Sequence, residues 1–191
     1  MTRTGRRPGA PDTREHIVEV ARRAFGGRGY EATSLRSVAK EANVDPGLLV
    51  HYFGGKDGLF LAALEVTIEP ERFFHGLEGL STAVAAEQIV RRYLLMLDNA
   101  EIRDVVMSLV RSAVSNDEAA GMLREFLIQK MFTSLVPVIK QPDAQTRASL
   151  IVAQLIGVAM LKYIAKAEVV VQTSNDELVH LVAPAIERYL R

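Results

Sequence analysis

The 191-residue chain contains no cysteine, and its formal net charge is zero. The missing cysteine removes a disulfide framework, a zinc-finger cage and a thiol nucleophile from consideration, and it suits a reducing compartment. Long hydrophobic runs are scarce too. The longest, Leu150 to Leu161, is interrupted by Gln154 and falls short of the roughly 20 residues that span a bilayer. The opening stretch MTRTGRRPGAPDTR is basic but lacks the apolar h-region of a signal peptide. These absences lead to the expectation of a cytoplasmic protein with no membrane partner. Catalytic signatures are also missing. There is no H-E-x-x-H, G-x-S-x-G, P-loop or G-x-G-x-x-G, and His16, His51, His75 and His180 are not paired at metal-ligand spacing. The GGRG at Gly26 to Gly29 follows no strand, so it reads as a helix stop and not as a phosphate cradle. The expectation is a protein that is not an enzyme and holds no cofactor or metal.

Apolar residues make up 49% of the chain, enough for a folded core. Charge is unevenly placed: residues 1–60 carry ten Lys and Arg against seven Asp and Glu, a balance of +3 that the remainder cancels. A modest basic pole of this kind suits a phosphate-bearing partner.

Nearly every segment has the 3.6-residue period of a helix, so the expected fold class is all-α. In the first helix Ile17, Val20, Ala21, Ala24 and Phe25 form one apolar stripe, and Gly26, Gly27 and Gly29 are expected to end it. Thr33 or Ser34 caps a second helix with Leu35, Val38, Ala39 and Ala42 on one side. Asp45 as cap and Pro46 at the first position open a third. A fourth starts around Gly55 and Lys56 and buries Leu59, Phe60, Ala63 and Leu64. Pro70 marks a boundary. Beyond it helices are expected near 82–98, 101–114, 117–140, 143–167 and 175–190. Asn116 and Ser174 should act as caps, and Pro137 and Pro184 should kink or end their helices. Val169 to Val171 reads as loop. The resulting division is a basic arm at 1–11, a small helical unit at 12–69 and a larger helical bundle at 70–191.

The second and third helices are joined by a tight turn at Asn43-Val44. A helix-turn-helix needs a small residue where the helices meet, which Ala39 supplies. It also needs a turn residue that tolerates positive φ, a role Asn43 fills after Gly. Val44 and Leu49 are spaced to lock the angle. Taken alone, the pattern fits an ordinary αα-corner equally well.

The stretch GYEATSLRSVAKEANVDPGLLVHYFGGKDGLFLAAL, Gly29 to Leu64, resembles the DNA-binding domain of TetR-family transcriptional regulators. The Gly-Tyr, the Thr-Ser, the Val-x-x-Gly-x-Leu core and the Tyr-Phe-Gly-x-Lys-Asp-x-Leu-Phe ending carry the match. The resemblance implies a helix-turn-helix unit that binds double-stranded DNA at a pseudo-palindromic operator. It places Thr33, Ser34 and Arg36 at the DNA backbone. Asp45, Pro46, Gly47 and Leu48 become the leading end of a recognition helix in the major groove, and Tyr52 and Lys56 become a phosphate clamp. The chain departs from the family at position 50, where a Tyr or His usual at the backbone is replaced by Val50. His51 and Tyr52 are therefore expected to carry that work. Arg6 and Arg7 of the arm suit a minor groove as well as they suit a solubilising tail.

The resemblance further implies a homodimer built on the last two long helices. The ridge Ser149, Ala153, Gly157 and the positions Leu178, Leu181, Val182 and Ile186 are its expected interface. It implies as well a small-molecule effector pocket, for which Phe74, Tyr93, Met96, Met107, Arg111, Phe126, Met160 and Tyr163 are the candidates. Repression relieved by that effector is the family's common mode. A helical protein-interaction adaptor that binds no DNA is the alternative expectation.

Overall fold

The computed structural model describes residues 10–191, and no strand occurs among them. Residues 1–9 of the expected arm, Arg6 and Arg7 included, lie outside the described residues, while Ala10 and Pro11 already belong to the first helix.

Helix α1 runs Ala10–Ala32 and buries Ile17, Val20, Ala21, Ala24 and Phe25 along the expected stripe. Its break differs from expectation. Gly26 and Gly27 stay helical, and the chain turns only at Gly29, whose φ of 83° and ψ of 170° lie outside the helical region. Gly26 is there for packing: a Cβ on it would lie 3.2 Å from Val105 Cγ2. Helix α2 (Leu35–Glu41) starts on Ser34, whose hydroxyl accepts from the Ser37 amide while the Ser37 hydroxyl accepts from the Ser34 amide. This reciprocal cap satisfies two amides that a helix start leaves orphaned. Asn43 takes φ 54° and turns the chain, and the Val44 amide donates to the Ala39 carbonyl at 3.0 Å. Helix α3 (Pro46–Phe53) begins on Asp45, whose carboxylate accepts from the Gly47 amide at 2.7 Å, and ends on left-handed Gly54 at φ 74°. Helix α4 (Lys56–Ile68) follows, ending at Glu69 with φ 45°, and Pro70 opens the short α5 (Pro70–Phe74).

The larger part begins with α6 (Thr82–Asp98), capped by Ser81, and α7 (Ala100–Ser115), capped by Asn99, whose side-chain oxygen accepts from the Glu101 and Ile102 amides. Asn116 caps α8 (Asp117–Phe126). The helix expected over 117–140 is in fact composite. A π-helical stretch, Leu127–Phe132, leads into α9 (Thr133–Leu135), and a 3-10 turn at Val136–Val138 holds Pro137 and ends it. Helix α10 (Ala144–Ala159) continues through a second π-helical stretch, Met160–Ile164. Val169 to Val171, expected as loop, instead lie within α11 (Glu168–Gln172). Helix α12 (Asn175–Leu190) is capped by Ser174 and continues past Pro184, which therefore does not end it. Pro184 sits at an exposed position, as does His180, whose carbonyl the missing N–H frees.

Two cores hold these helices. One unites Phe74, α6, the inner faces of α10 and α12, Leu135 and Ile139. The other packs α1, α2, α3 and α4 around Phe25, Tyr30 and Phe60, with ring centroids 4.7 Å apart for Phe25 and Phe60 and 5.3 Å for Tyr30 and Phe60. This second core does not stop at Pro70. Val105 and Leu109 of α7 and Ala119, Met122 and Phe126 of α8 are buried in it. Truncating a buried leucine or methionine in such a core costs about 2–5 kcal/mol, so α7 and α8 are structural partners of the small N-terminal unit.

Candidate functional site

Helix α3 is asymmetric in a way its sequence dictates. Leu49 is completely buried, and Leu48, Tyr52 and Phe53 are half-buried against the same core. What remains outward is Pro46, Gly47, Val50 and His51, with the capping Asp45 at the tip. Positions 47, 50, 51 and 54 follow the spacing of one helix face, so the exposed surface is a narrow, nearly uncharged strip. Val50 is 51% exposed and stands at the centre of that strip. Residue type alone sets Val50 apart from the expected contacts, because it departs from the family pattern. Its position on the face, three residues after Gly47 and one before His51, places it between two of the expected contacts. Leu48, expected in the groove, is half-buried against that core.

The flanks of the strip carry the polar groups. Ser34 and Arg36 are exposed at the start of α2. Thr33 is different: it is 1% exposed, its hydroxyl lies 2.8 Å from the Gly29 carbonyl and 3.1 Å from the Ala24 carbonyl, and its amide donates to the Tyr30 carbonyl. Both of its donors are consumed in closing the bend at Gly29, which removes it from the surface where it was expected. Lys56, at the start of α4, holds its ammonium 4.0 Å from the centroid of the Tyr30 ring and 3.4 Å from the Glu31 carbonyl. Tyr30 donates its hydroxyl to the Asp57 carboxylate. Burial, with the neighbouring Asp57 second, raises the Tyr30 pKa above its ordinary value, so this phenol stays protonated and keeps the hydrogen bond. Lys56 is thereby fixed at the edge of the strip by an aromatic ring that is itself locked in the core. His51 lies beside Tyr52, ring centroids 5.5 Å apart.

Gly58 has no feature in the sequence that singles it out. A Cβ on it would sit 1.9 Å from the Phe53 carbonyl oxygen, closer than any real contact. The end of α3 and the first turn of α4 therefore meet at a distance only glycine permits.

A second feature lies behind α4. Leu64 and Ile68 of its final turns, Phe73 of α5, Tyr93 and Met96 of α6, Val106, Leu109 and Val110 of α7, Leu123 and Phe126 of α8, the π-helical Leu127 and Met131, and Val152, Leu155 and Ile156 of α10 line a cavity of about 60 Å³. Of the expected pocket residues, Tyr93, Met96 and Phe126 line it. Met107, Arg111 and Tyr163 line a separate open groove of about 660 Å³ with Arg103, Lys162 and Lys166, where the Arg103 guanidinium lies 5.1 Å from the Tyr163 ring centroid. Phe74 and Met160 line neither, because Phe74 is 3% exposed inside the larger core and Met160 packs against it. The expected set therefore divides into two sites and some core.

The expected interface residues separate similarly. Ser149 and Ala153 are exposed, Gly157 and Val182 half-buried, and Leu181 65% exposed, whereas Leu178 and Ile186 are buried in the chain's own core against α6 and α10. Leu178 and Ile186 therefore have no side chain left to offer a partner. The rod Ala144–Ile164 has 21 residues and is long and apolar enough to cross a membrane by length and composition. The apolar run from Leu150 to Leu161 is shorter than that, and the helical rod extends beyond it at both ends, over 144–149 and 162–164.

Residues 17–63 match the family described as bacterial regulatory proteins, tetR family, and residues 84–190 match the tetracyclin repressor-like C-terminal domain. A TetR-family regulator from Streptomyces coelicolor A3 is 34% identical, with 98% of this chain and 99% of that one aligned at a TM-score of 0.72. The HTH-type transcriptional regulator BetI of Brucella anthropi is 43% identical over 54 residues, 28% of each chain. The HTH-type transcriptional regulator UidR of Escherichia coli is 28% identical over 132 residues, 64% of this chain and 66% of that one. The chain thus spans under a third of the length of the first of these curated relatives and about two thirds of the second.

Proposed function

The chain belongs to the TetR family of bacterial regulatory proteins, and from that premise we propose that it is a sequence-specific DNA-binding transcriptional regulator. It works as a homodimer on double-stranded DNA with a pseudo-palindromic operator, as a repressor that a small molecule releases. The observation that carries this reading is the outward strip of α3. Pro46, Gly47, Val50 and His51 face away from the protein while Leu49 locks the opposite side. Helix α3, of eight residues, is too short to stand alone in water, and it is held by a core so that this one face can enter a major groove. Gly47 gives close approach, the Val50 isopropyl group suits a thymine methyl, and His51 offers a ring nitrogen to a base edge or phosphate. Ser34, Arg36, Tyr52 and Lys56 take backbone phosphates and fix the register.

The two-fold pairing is supported by α10. Only 28% of the apolar stretch in Ala144–Ile164 is buried within the chain. Leu150, Ala153 and Leu161 stand exposed on it, with Leu181 of α12. Covering this face with a second copy buries the apolar surface and sets two α3 helices about 34–36 Å apart, one turn of B-DNA. Release is supported by α4, which carries Lys56 at its first residue and lines the cavity with Leu64 and Ile68 near its last, about 20 Å along one helix. A molecule that enlarges the cavity moves α4 and with it the phosphate clamp. Binding without catalysis is all the family and fold require, and solubility in the cytoplasm goes with that role.

Selection of bound duplexes from a random pool tests the reading. The expected product is an inverted repeat bound with a steep salt dependence. Retention indifferent to sequence, or none at about 50 mM salt, overturns it.

A further inference from the structure

The cavity behind α4 carries chemical information that the family assignment does not contain. Its lining is leucine, isoleucine, valine, phenylalanine and methionine, with Tyr93 the one residue that carries a polar side-chain group. Tyr93 is 7% exposed, and its hydroxyl is one of two buried side-chain oxygens among the described residues that have no hydrogen-bond partner. A buried phenol normally finds a partner, and leaving one unpaired is costly. Burial first, and the Tyr163 phenol second, raise the Tyr93 pKa, so the hydroxyl keeps its proton and is available as a donor. No charged side chain lines the cavity, so an ionised guest would be stranded there without a counter-ion.

We propose that the cavity takes a small, uncharged, mostly apolar molecule whose single oxygen acceptor, a ketone, ester, ether or hydroxyl, receives the hydrogen bond from Tyr93. This deepens the effector reading and rests on it. The cavity's present volume of about 60 Å³ is less than such a molecule needs, and the walls supply the difference. Met96 and Met131 are unbranched and repack readily. Leu127 and Met131 also sit on a π-helical stretch, Leu127–Phe132, a helix form found mostly as local bulges at functional sites.

Three probes of similar size separate the possibilities: acetophenone, ethylbenzene and benzoate, each titrated calorimetrically into wild-type protein and into Tyr93→Phe. The variant folds, because it deletes an unpartnered buried group and leaves its volume almost unchanged. Acetophenone is expected to bind wild type about tenfold more tightly than ethylbenzene, and benzoate at least tenfold more weakly than acetophenone. In Tyr93→Phe the acetophenone advantage should vanish while ethylbenzene affinity holds. Equal binding of acetophenone and ethylbenzene to wild type, an unchanged ratio in the variant, benzoate binding as tightly as acetophenone, or no binding of any probe overturns the proposal. Operator retention is measured in parallel. Acetophenone that binds as expected yet leaves the operator bound sinks the effector reading and spares the ligand class, whereas release by benzoate alone does the reverse.

Discussion

The carbonyl oxygen of Phe53, at the last residue of α3, occupies space that a Cβ on Gly58 would invade, at 1.9 Å. Nothing flexible separates the two, since the obstacle is backbone. Gly58→Ala must therefore push α3 away from α4. The variant is expected to lose about 1–3 kcal/mol of stability and to bind operator DNA at least tenfold more weakly even where it remains folded. Denaturant titration and a gel shift on the same preparation check both. Wild-type operator affinity in Gly58→Ala would show that the α3–α4 spacing does not matter for binding.

Lys56 and Thr33 look alike in the sequence and are unlike in the structure, which makes them a matched pair. Lys56→Ala should weaken binding to every duplex and lower the salt slope by about 0.9 for each phosphate that Lys56 neutralises. Thr33→Val should cost about 1–2 kcal/mol of stability, by leaving buried carbonyls short of a donor, and leave the salt slope unchanged. Salt-dependent binding isotherms decide the matter, and a reduced slope for Thr33→Val would return that residue to the interface.

A charge on the exposed face of α10 should separate the subunits. Ala153→Glu places a carboxylate where the proposed partner removes water, and it is expected to weaken dimerisation at least a hundredfold, the order expected for an unpaired buried charge. Because Ala153 is exposed in the single chain, the monomer should stay folded. Sedimentation at micromolar concentration reads the outcome. An intact dimer would move the interface off this face.

Alkaline pH should unfold the protein through its tyrosines. Tyr30 and Tyr93 both have pKa values raised in the folded state, burial being the larger cause for each. Above the ordinary value of 10.0 the unfolded chain loses protons that the folded chain retains, so stability is complete below that pH and declines as pH rises past it. Tyr93→Phe should make the decline between pH 9 and pH 11.5 shallower (about these limits, set by the free phenol value). Parallel declines for variant and wild type would mean that Tyr93 titrates normally.

What the sequence made legible was local chemistry. Asp45 with Pro46, Asn43 at positive φ, and Ser174 as a cap act through neighbours within a few residues, and all three stand where the pattern places them. Tertiary packing hid the rest. Gly58 is glycine because of a carbonyl in another helix, and Thr33 is buried because the bend at Gly29 folds back over it. Three successive valines carry no periodicity by which to recognise α11, and in a five-residue helix β-branching costs little. Helical spacing marks Tyr93, Met96, Phe74 and Met160 alike as inward-facing, and which of them line the cavity depends on how α5, α6 and α10 pack against other elements.

The shared core has a practical corollary for protein engineers. Residues 12–69 look like a cassette, ready to be excised and fused to a different sensor. Yet Val105, Leu109, Ala119, Met122 and Phe126 complete that cassette's interior from the far side of Pro70. A chimera joined at Pro70 would leave a greasy wound on α1 and α4, so a grafted sensor must bring its own counterparts of α7 and α8 to close it.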